Sequence, residues 1–300
     1  MSIVILSGGT GTPKLLQGLK RELDQKDMTI IVNTAEDLWL SNMFISPDID
    51  TVIYTLLDII NEETWYGIRG DTFFCHEELK KLGQKEILRI GDRDRAFKLQ
   101  RTLLLKSGLP LSKAIKHQLR ILGLNCKVLP MTNDRVATRI HTPEKTMSFH
   151  EFWVEKRGKV DVLDVTFEGL EDAEPLKEAL VEIKEADKII IGPSNPITSI
   201  LPIINLKGFK KAILESNSKK IAISPIIGNS PVSGPAGKFM NALGYKVSPE
   251  SIPIIYDFLD IFVADTTDNP VKSDVRTEYT NIIMKGMSDK IRLARFLLSL

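Results

Sequence analysis

Acidic side chains gather after a short apolar run near the start of the chain. The segment Asn33–Asp37 (NTAED) follows the run Met28–Val32, and Asp48 and Asp50 come next, at the start of an amphipathic stretch. Hard divalent cations take oxygen ligands, so such carboxylates suit a divalent cation bound to a diphosphate. Either aspartate alone is explained equally well as a helix cap. Together they predict a site for a hard divalent cation, in which Asp48 and Asp50 are the catalytic carboxylates and either bind the metal or orient a reacting hydroxyl.

A glycine-rich turn follows the first apolar run of the chain. The run Ile3–Leu6 is succeeded by Ser7–Lys14 (SGGTGTPK), which leads into another amphipathic stretch. Glycines let a ligand approach the backbone closely, and a helix N-terminus adds positive potential, so the turn is typical of an anion site. The same residues would also close a tight strand-to-helix connection without any ligand. We predict that the turn binds nucleotide phosphate through Gly8, Gly9, Thr10, Gly11 and Lys14.

Several familiar chemistries are disfavoured by the same segments. The turn lacks the Gly-Lys-Ser/Thr of a P-loop, and Lys14 stands where a dinucleotide fingerprint has its third glycine. The second apolar run ends in Asn33 instead of the carboxylate that binds ribose in nicotinamide-dependent dehydrogenases. The four histidines lack metal-ligand spacing, and no Gly-x-Ser-x-Gly motif is present. ATP hydrolysis, hydride transfer, zinc hydrolysis and triad catalysis therefore rank low.

Two stiff polar loops follow later apolar runs. The loop Gly192–Ile200 (GPSNPITSI) comes after Lys188–Ile191, and the loop Ser224–Lys238 (SPIIGNSPVSGPAGK) begins where Lys220–Ser224 ends. Prolines fix the backbone, and the hydroxyl and amide groups between them suit recognition of a base or a phosphate. Gly, Pro, Ser and Asn also dominate ordinary turns, which leaves a purely structural role open. We predict nucleotide contacts from Pro193, Ser194, Asn195 and Ser224.

A dense charged segment precedes one of the amphipathic stretches. Leu88–Arg95 (LRIGDRDR) places three arginines and two aspartates around one glycine. Arginine forks bind phosphate or carboxylate bidentately, and an aspartate there can hold a ligand hydroxyl. Charge runs are usually solvated, and a capping turn would explain this one too. We predict that Arg89, Asp92 and Arg93 contact a ligand that carries an anionic group or a hydroxyl.

The elements that must position these residues alternate between strands and helices. Short Ile- and Val-rich runs predict buried strands at Ile3–Leu6, Met28–Val32, Lys188–Ile191, Lys220–Ser224 and Ile261–Ala264. Apolar spacing of three or four predicts helices at Pro13–Leu23, Asp50–Ile60, Arg93–Ser107, Leu111–Leu122, Glu174–Ala186, Gly208–Ser216, Pro235–Leu243 and Lys290–Leu298. Arg135–His141 and Val160–Glu168 are predicted as further strands outside the parallel core.

This alternation predicts an α/β fold, namely a Rossmann-like, three-layer parallel sheet. The stretch at about 60–130 is mainly helical and is expected as an insertion beside the sheet, with a small additional β segment after it. No internal repeat or linker divides the chain, so residues 1–300 are predicted to form a single domain. Ligands of open α/β sheets bind beyond the carboxyl ends of the strands, where all the loops above lie.

Composition narrows the partners to small molecules. Forty basic residues against thirty-nine acidic ones give a formal charge of +1, which provides no electrostatic reason to expect a nucleic acid or an anionic membrane. No apolar run approaches the roughly 20 residues of a membrane span, and no secretory leader is recognisable, so a cytoplasmic protein is expected. Cys75 and Cys126 match neither a disulfide framework nor a metal site and are expected to be buried, reduced thiols.

Several of these motifs, taken in order, resemble one enzyme family. They are Leu6–Leu16, Asn33–Trp39, Ile45–Thr51, Gly91–Arg95, Gly192–Ile200 and Ser224–Asn229. In that order they look like the archaeal 2-phospho-L-lactate transferases, and the resemblance runs through nearly the whole chain. Several long motifs make it far more specific than a single glycine loop.

The resemblance implies an activity that composition does not reveal. It implies transfer of the phospholactyl group of lactyl-2-diphospho-5'-guanosine to the deazaflavin alcohol Fo, with release of GMP, formation of F-420-0 and a requirement for Mg²⁺. By matching motif, Asp50 and Arg89 would contact Fo, and Asn33, Asp92 and Arg93 are predicted to contact it as well. A homodimer is also implied. The choice between lactate and enolpyruvate in the donor stays open, because one or two pocket contacts decide it.

A second hypothesis belongs to another functional class. Related bacterial proteins linked to gluconeogenesis and cell-wall control are non-catalytic binders of nucleotide sugars, and they share the fold and the glycine loop. The combination of Asn33–Asp37 with Ser46–Asp50 resembles the transferase branch instead.

Overall fold

A computed structural model describes the whole chain, residues 1–300, as alternating strands and helices. Its strands are β1 (Ile3–Ser7), β2 (Met28–Val32), β3 (Leu38–Leu40), β4 (Met43–Ile45), β5 (Lys127–Pro130), β6 (Ala137–His141), β7 (Thr146–Ser148), β8 (Asp164–Glu168), β9 (Lys188–Ile191), β10 (Lys219–Ile223), β11 (Ile226–Ile227), β12 (Ser230–Pro231), β13 (Ile261–Asp265) and β14 (Arg276–Thr280). Its α-helices are α1 (Gly11–Glu22), α2 (Pro47–Leu56), α3 (Phe74–Lys81), α4 (Asp92–Lys106), α5 (Leu111–Ile121), α6 (Lys177–Glu185), α7 (Leu201–Asn205), α8 (Phe209–Glu215), α9 (Ala236–Ala242), α10 (Ser251–Ile255) and α11 (Met287–Ser299). A 3₁₀ turn at Gln25–Asp27 and π-helical turns at Glu151–Glu155 and Pro196–Ile200 complete the list.

Seven parallel strands form the central sheet, in the order β14-β13-β10-β9-β1-β2-β5. Every residue of β1, β2, β9 and β13 is buried, as expected for strands covered on both faces. On one face, Ile3 and Ile5 pack with apolar residues of α1, α2, α5 and α11. On the other, Val4 and Leu6 pack with α6, α7, α8 and α9. The predicted three-layer α/β fold is therefore confirmed.

The five predicted core strands are confirmed as β1, β2, β9, β10 and β13, and β5 and β14 are additional. Strand β14 (RTEYT) lies at the sheet edge, is only partly buried and has no apolar run that would predict it. Strand β5 has four residues and ends the stretch at about 60–130. That stretch is mainly helical, through α3, α4 and α5, but its last segment belongs to the central sheet.

The small additional β segment is an antiparallel sheet of three strands. Its order is β7-β6-β8, so the two predicted strands pair directly with each other as β6 and β8. The third strand, β7, which the sequence did not predict, pairs with the other edge of β6. A short hairpin of β3 and β4 and a two-residue ladder of β11 and β12 lie in loops between the main elements. These pieces follow the carboxyl ends of β2, β5 and β10, where they build the walls above the sheet.

Helix α2 begins three residues earlier than predicted, at Pro47. Proline is favoured in the first turn because its missing N–H has no partner there in any case. The first turn consequently contains both Asp48 and Asp50, which complement the positive end of the helix. The helix ends at Leu56 rather than at Ile60, which pairs as an isolated bridge with Ile68.

The C-terminal helix α11 packs closely on α1, the helix that follows the glycine-rich turn. Gly18 faces the backbone of Lys290, where an added Cβ would overlap the carbonyl group. The buried Lys290 ammonium donates to Gln17 on α1 and, at 2.9 Å, to Glu62. Helix α11 thereby supports the helix that begins at the predicted anion site.

The two cysteines differ in environment. Cys126 is buried as expected, but the expectation was wrong for Cys75, which lies exposed on α3. Helix α3 has no buried residue, so nothing covers its thiol. No helix of the structure combines the length and apolarity needed to cross a membrane.

The packing of α11 on α1 is tested by Gly18→Ala. Because the new methyl group meets backbone rather than a movable side chain, we expect a loss of about 2 kcal/mol and a melting temperature lower by about 5 °C. Gly237→Ala is the matched control, since that helical glycine leaves 3.4 Å to the nearest atoms. Alanine is the better helix former there by about 1 kcal/mol. Equal melting temperatures for the two variants would contradict the close contact.

Thiol titration tests the cysteine environments. Burial raises the pKa of Cys126 to about 11, so at pH 8 this thiol is both covered and protonated. With a disulfide reagent we expect one thiol to react at once and the second only after unfolding. Cys75→Ser should remove the fast phase. Two fast thiols in the folded wild type would contradict the burial of Cys126.

Candidate active site

A cleft of about 550 Å³ opens at the carboxyl ends of β1, β9 and β10. Its walls come from the glycine-rich turn, the first turn of α2, the segment 64–66, Leu88 and Arg89, and the loops after β7, β9 and β10. Many predicted site residues meet there, namely Gly9, Thr10, Gly11, Lys14, Asp48, Arg89, Pro193, Ser194 and Asn195. Residues far apart in sequence therefore converge where an open α/β sheet binds its ligands.

The glycine-rich turn is locked against the loop after β9. A Cβ on Gly11 would overlap the carbonyl of Pro193, so only glycine permits this approach. The Ser194 hydroxyl donates to the Gly8 carbonyl and accepts from the Thr12 N–H at 3.2 Å. The Ser194 hydroxyl thus joins the two loops, and these hydrogen bonds hold the glycine-rich turn in place.

Asp48 joins the first turn of α2 to the glycine-rich turn. Its Oδ1 accepts from the backbone N–H of Gly9 at 2.9 Å, and its Oδ2 accepts from the amide of Asn33 at 3.0 Å. Gly9 has a positive φ of 56°, which suits glycine. Burial raises the pKa of Asp48 to about 6, against the opposing effect of these two hydrogen bonds. The carboxylate is therefore held at the turn without a cationic partner.

Glu36 is the second carboxyl group of the cleft. It is buried, its Oε1 has no hydrogen-bond partner, and both its burial and the nearby charge of Asp48 raise its pKa well above the ordinary value. Two carboxylates that disfavour each other's charge are suited to a shared divalent cation. No cluster of three or more His, Cys, Asp or Glu side chains is arranged for a metal, so other ligands would have to come from substrate or water.

Lys14 supplies positive charge to the same cleft. Its ammonium lies 5.2 Å from the centre of the Trp65 ring and forms no salt bridge with any carboxylate. Partial burial and the nearby charge of Lys290 lower its pKa. A half-buried cation without a counter-ion beside a glycine-rich turn is suited to bind an anionic group.

Asp50 lies behind the cleft rather than in its lining. Its carboxylate accepts from Arg101 at 2.7 Å and pairs with Lys98 at 3.1 Å, both on α4 and both fully buried. Burial alone would raise its pKa, but the charges of Arg101 and Lys98 outweigh that effect and lower it. Asp50 is therefore neutralised by protein cations, which makes it a poor magnesium ligand and separates its role from that of Asp48.

Other predicted residues also lie outside the cleft lining. Asn33 is buried beneath it and orients Asp48, while Gly8 packs against Ser199. Asp92 is not free for a ligand, because it accepts from the backbone N–H groups of Phe74 and Cys75 at the start of α3. Arg93 points to solvent and Ser224 is fully buried, with its hydroxyl bonded to the backbone of Ile226. Asn33 and Gly8 therefore support the site from below, whereas Asp92, Arg93 and Ser224 do not face it.

Sequence reasoning missed a histidine and a buried pair of cations. The ring of His150 lines the cleft and lies 2.7 Å from the backbone oxygen of Glu36, and its pKa is lowered mainly by burial. No spacing pattern connects His150 with residue 36. Lys98 and Arg101 sit three apart on α4, which marks them as one helix face, but only the tertiary structure brings Asp50 to that face.

The chain was compared with known proteins. Residues 3–291 match the model of the family described as 2-phospho-L-lactate transferase CofD. The 2-phospho-L-lactate transferase of Methanocaldococcus jannaschii is 50% identical, with 98% of this chain and 96% of that protein aligned. The enzyme of the same name from Methanothermobacter thermautotrophicus is 51% identical, with 99% and 97% aligned.

A solved structure shares the fold. The UPF0052 family member from Bacillus halodurans superposes with a TM-score of 0.68 at 19% identity, covering 99% of this chain and 98% of that one. That identity is too low to carry function. The family match and the two transferases instead show that this chain belongs to the 2-phospho-L-lactate transferase family.

Proposed function

We propose that the protein transfers the 2-phospholactyl group from lactyl-2-diphospho-5'-guanosine to Fo and yields F-420-0 and GMP. Membership of the family supports the reaction class. The observation that carries the proposal is the hydrogen bond from Gly9 to Asp48, which places a carboxylate at an anion-binding turn. A diphosphate needs both positive potential for its oxygens and carboxylates for its metal, and the cleft offers the two side by side.

The diphosphate of the donor lies, in this proposal, against the glycine-rich turn. Backbone N–H groups of Thr10 and Gly11 stand at the start of α1, where the helix adds positive potential. The Lys14 ammonium, free of carboxylate partners, pairs with a phosphate oxygen. Asn195 and Pro193 line the opposite side, and the lock between Ser194 and Gly8 keeps the two sides at fixed separation.

Magnesium fits the carboxyl pair of Asp48 and Glu36 better than the predicted pair of Asp48 and Asp50. Glu36 offers an oxygen without a hydrogen-bond partner, whereas Lys98 and Arg101 already compensate the charge of Asp50. Mg²⁺ is commonly held by one or two carboxylates together with substrate phosphates and water. Bound there, it would supply neutralisation of the charge on the phosphate oxygens.

The chemical step is a substitution at phosphorus. The terminal hydroxyl oxygen of the ribityl chain of Fo forms a bond to the phosphorus that carries lactate, and the bond from this phosphorus to the bridging oxygen breaks. GMP leaves with that oxygen and its charge, which Lys14 and the backbone N–H groups of the turn stabilise. The hydroxyl proton passes to the Asp48 carboxylate or to solvent. Positioning by the rigid turn supplies much of the rate.

Arg89 stands on the acceptor side of the cleft. Its guanidinium lies 3.9 Å from the ring centre of Phe73 and its only ion pair, with Glu77 at 3.7 Å, is exposed. Such a group is free to bind a polar edge of Fo. Trp65 and Tyr66 line the same wall and offer aromatic surface to a planar ring. The predicted contact between Asp50 and Fo would require Fo to reach the buried pair of Lys98 and Arg101.

The direct test incubates the protein with Fo, synthetic donor and Mg²⁺ and detects the phosphodiester product by mass. We expect F-420-0 and GMP in equal amounts. A parallel reaction with the enolpyruvate analogue of the donor identifies the preferred acid. Calorimetry with Fo and with UDP-sugars tests the alternative of a nucleotide-sugar sensor. Tight UDP-sugar binding, with no Fo binding and no product, would contradict the proposal.

Asp48→Asn and Asp50→Asn separate the two aspartates. Because burial raises the pKa of Asp48 to about 6, its negative charge at neutral pH costs folding free energy instead of adding to it, so Asp48→Asn should keep the melting temperature within about 3 °C. We expect its turnover to fall by at least about 100-fold. Asp50→Asn leaves Lys98 and Arg101 buried without their partner and should cost about 3 to 5 kcal/mol. Full turnover by Asp48→Asn at saturating substrates would contradict the assignment.

Glu36→Gln tests the magnesium ligand pair. The neutral amide keeps the shape but loses the charge, so we expect the Mg²⁺ concentration for half-maximal rate to rise by about tenfold or more. Glu182→Gln, which alters a carboxyl group of α6 outside the cleft, is the control and should leave the metal dependence unchanged. The same metal dependence in wild type and Glu36→Gln would exclude Glu36 as a ligand.

A further inference from the structure

The C-terminal helix α11 reaches the back wall of the cleft through Lys290, which has no part in the reaction described above. Lys290 is buried, at 2% exposure, and its ammonium lies 5.0 Å from the centre of the Trp65 ring. The Lys14 ammonium lies 5.2 Å from the centre of the same ring. Trp65 and Lys14 line the cleft, whereas Lys290 does not. One indole is therefore shared by a cation that faces the ligand space and a cation that lies behind it.

The Lys290 side chain is fixed by a closed set of polar contacts. Its ammonium donates to the side-chain oxygen of Gln17 and, at 2.9 Å, to one carboxylate oxygen of Glu62. The side-chain amide of Gln17 donates to the other Glu62 oxygen, also at 2.9 Å. Gly18 packs directly against the Lys290 carbonyl, which holds the backbone as well. Helix α1 and the segment before Trp65 thus set the position of this buried charge.

Trp65 has a backbone conformation that its surroundings must hold. Its φ of 52° lies in the left-handed region, which an aromatic residue adopts only at an energetic cost. Its N–H donates to the Asn61 carbonyl at 2.8 Å, and its ring packs against the apolar core around Ile3 and Ile5. The face of an indole attracts cations. The ring is therefore a fixed wall against which the Lys14 ammonium is oriented.

Glu62 lies close enough to α1 to matter for Lys14. It is bonded to Gln17, and side chains three residues apart on a helix lie on the same face. Because the Glu62 carboxylate pairs with Lys290, Lys14 keeps no carboxylate partner. Removal of the Lys290 ammonium would leave Glu62 with Gln17 alone, one helical turn from the Lys14 ammonium.

Ionisable side chains surround Lys14 both in the cleft and behind it. Those in the cleft are Glu36, Asp48, Tyr66, Arg89 and His150, and those behind it are Glu62 and Lys290, with Arg69 next to Glu62. Among their charges, that of Lys290 adds to the effect of burial and lowers the pKa of Lys14. An ammonium whose charge is disfavoured in this way gains more from an anionic ligand than a solvated one does.

We propose that Lys290 is a positioning residue of the active site, which orients the Lys14 ammonium toward the diphosphate by bracing Trp65 and by keeping Glu62 occupied. The inference rests on the proposed function, in which Lys14 pairs with a phosphate oxygen. Helix α11 is then a working part of the site, although none of its residues lines the cleft. Without the Lys290 charge, Glu62 competes with the phosphate for Lys14.

NMR titration of lysine side chains measures this coupling without any substrate. The Lys14 signal is identified by its loss in Lys14→Met. Lys290→Met keeps the alkyl packing but removes the charge, so the pKa of Lys14 should rise toward the ordinary lysine value. Glu62→Gln keeps the shape but removes the negative charge that offsets Lys290, so the pKa of Lys14 should fall further. Opposite shifts from two neighbouring variants distinguish charge coupling from general loosening.

Calorimetry with GDP and Mg²⁺ measures the consequence for ligand binding. At about pH 7.5, Lys290→Met should weaken GDP by about threefold or more, because Glu62 then competes for Lys14. Affinity in the wild type should fall as the pH rises through the lowered pKa of Lys14, since the charge is lost there. In Lys290→Met this fall should move to higher pH. Ionisation of GDP itself is common to both proteins and cancels in the comparison.

Lys188→Met is the matched control. Lys188 is a second buried lysine that anchors α11, because its ammonium donates to the carbonyls of Leu297 at 3.3 Å and Leu298 at 2.6 Å. It lies at the start of β9, at the opposite end of the sheet from the cleft. We expect both variants to lower the melting temperature. Lys188→Met should nevertheless leave the pKa of Lys14 and the GDP affinity at their wild-type values.

Three results would overturn the role of Lys290. They are an unchanged pKa of Lys14 in Lys290→Met, unchanged GDP affinity in that variant, and equal effects of Lys188→Met. If Lys290→Met does not fold, Glu62→Gln decides, and an unchanged pKa of Lys14 in it contradicts the coupling. Any of these results is compatible with normal formation of the phosphodiester product, in which case the proposed function stands. Absence of product from the wild type would contradict the proposed function and leave the titration of Lys14 intact.

Discussion

The hydrogen bond from the Gly9 backbone to the Asp48 carboxylate is the contact on which the site depends. It connects the turn after β1 to the start of α2, two segments separated by a strand, a hairpin and a helix. The approach of Gly11 to Pro193 adds the loop after β9 to the same junction. Because these contacts join three loops, the glycine-rich turn and the Asp48 carboxylate face one small volume. The sheet below supplies the rigidity that such precision requires.

The buried carboxylates fall into two groups, one paired with protein cations behind the cleft and one facing the cleft without such partners. Behind the cleft, the carboxylate of Asp50 is compensated by Lys98 and Arg101. Facing the cleft, Asp48 and Glu36 have no cation beside them, and their pKa values are raised, chiefly by burial. The protein therefore neutralises the carboxylate it uses for structure and leaves uncompensated the pair that a metal-bound substrate would satisfy.

The sequence predicted what depends on local pattern. The run Ile3–Leu6 in β1 is uniformly aliphatic, and β9 has three isoleucines after Lys188. The glycines after β1 are needed where the structure places them. The expectation that Asp48, Gly9 and Asn195 share one cleft followed from the rule that ligands bind at strand ends, and the structure places them there. Strand β14 escaped prediction because it is an edge strand with polar residues, for which hydrophobic periodicity gives no signal.

The functional roles predicted for charges that are close in sequence stay untested, but the structure places those charges in different surroundings. Asp48 and Asp50 are two residues apart, yet successive positions on a helix point in different directions, and only one of them faces the cleft. Asp92 was predicted to hold a ligand hydroxyl, but its carboxylate accepts hydrogen bonds from backbone N–H groups at the start of α3. Such partners come from tertiary structure, which no single motif records.

The account is tested most directly by a crystal structure with GDP and Mn²⁺, in which the anomalous signal locates the metal. We predict a single peak between Asp48 and Glu36, with the diphosphate against the backbone of Gly9–Gly11 and the Lys14 ammonium. A metal bound at Asp50, or a diphosphate placed away from the glycine-rich turn, would contradict the central claim.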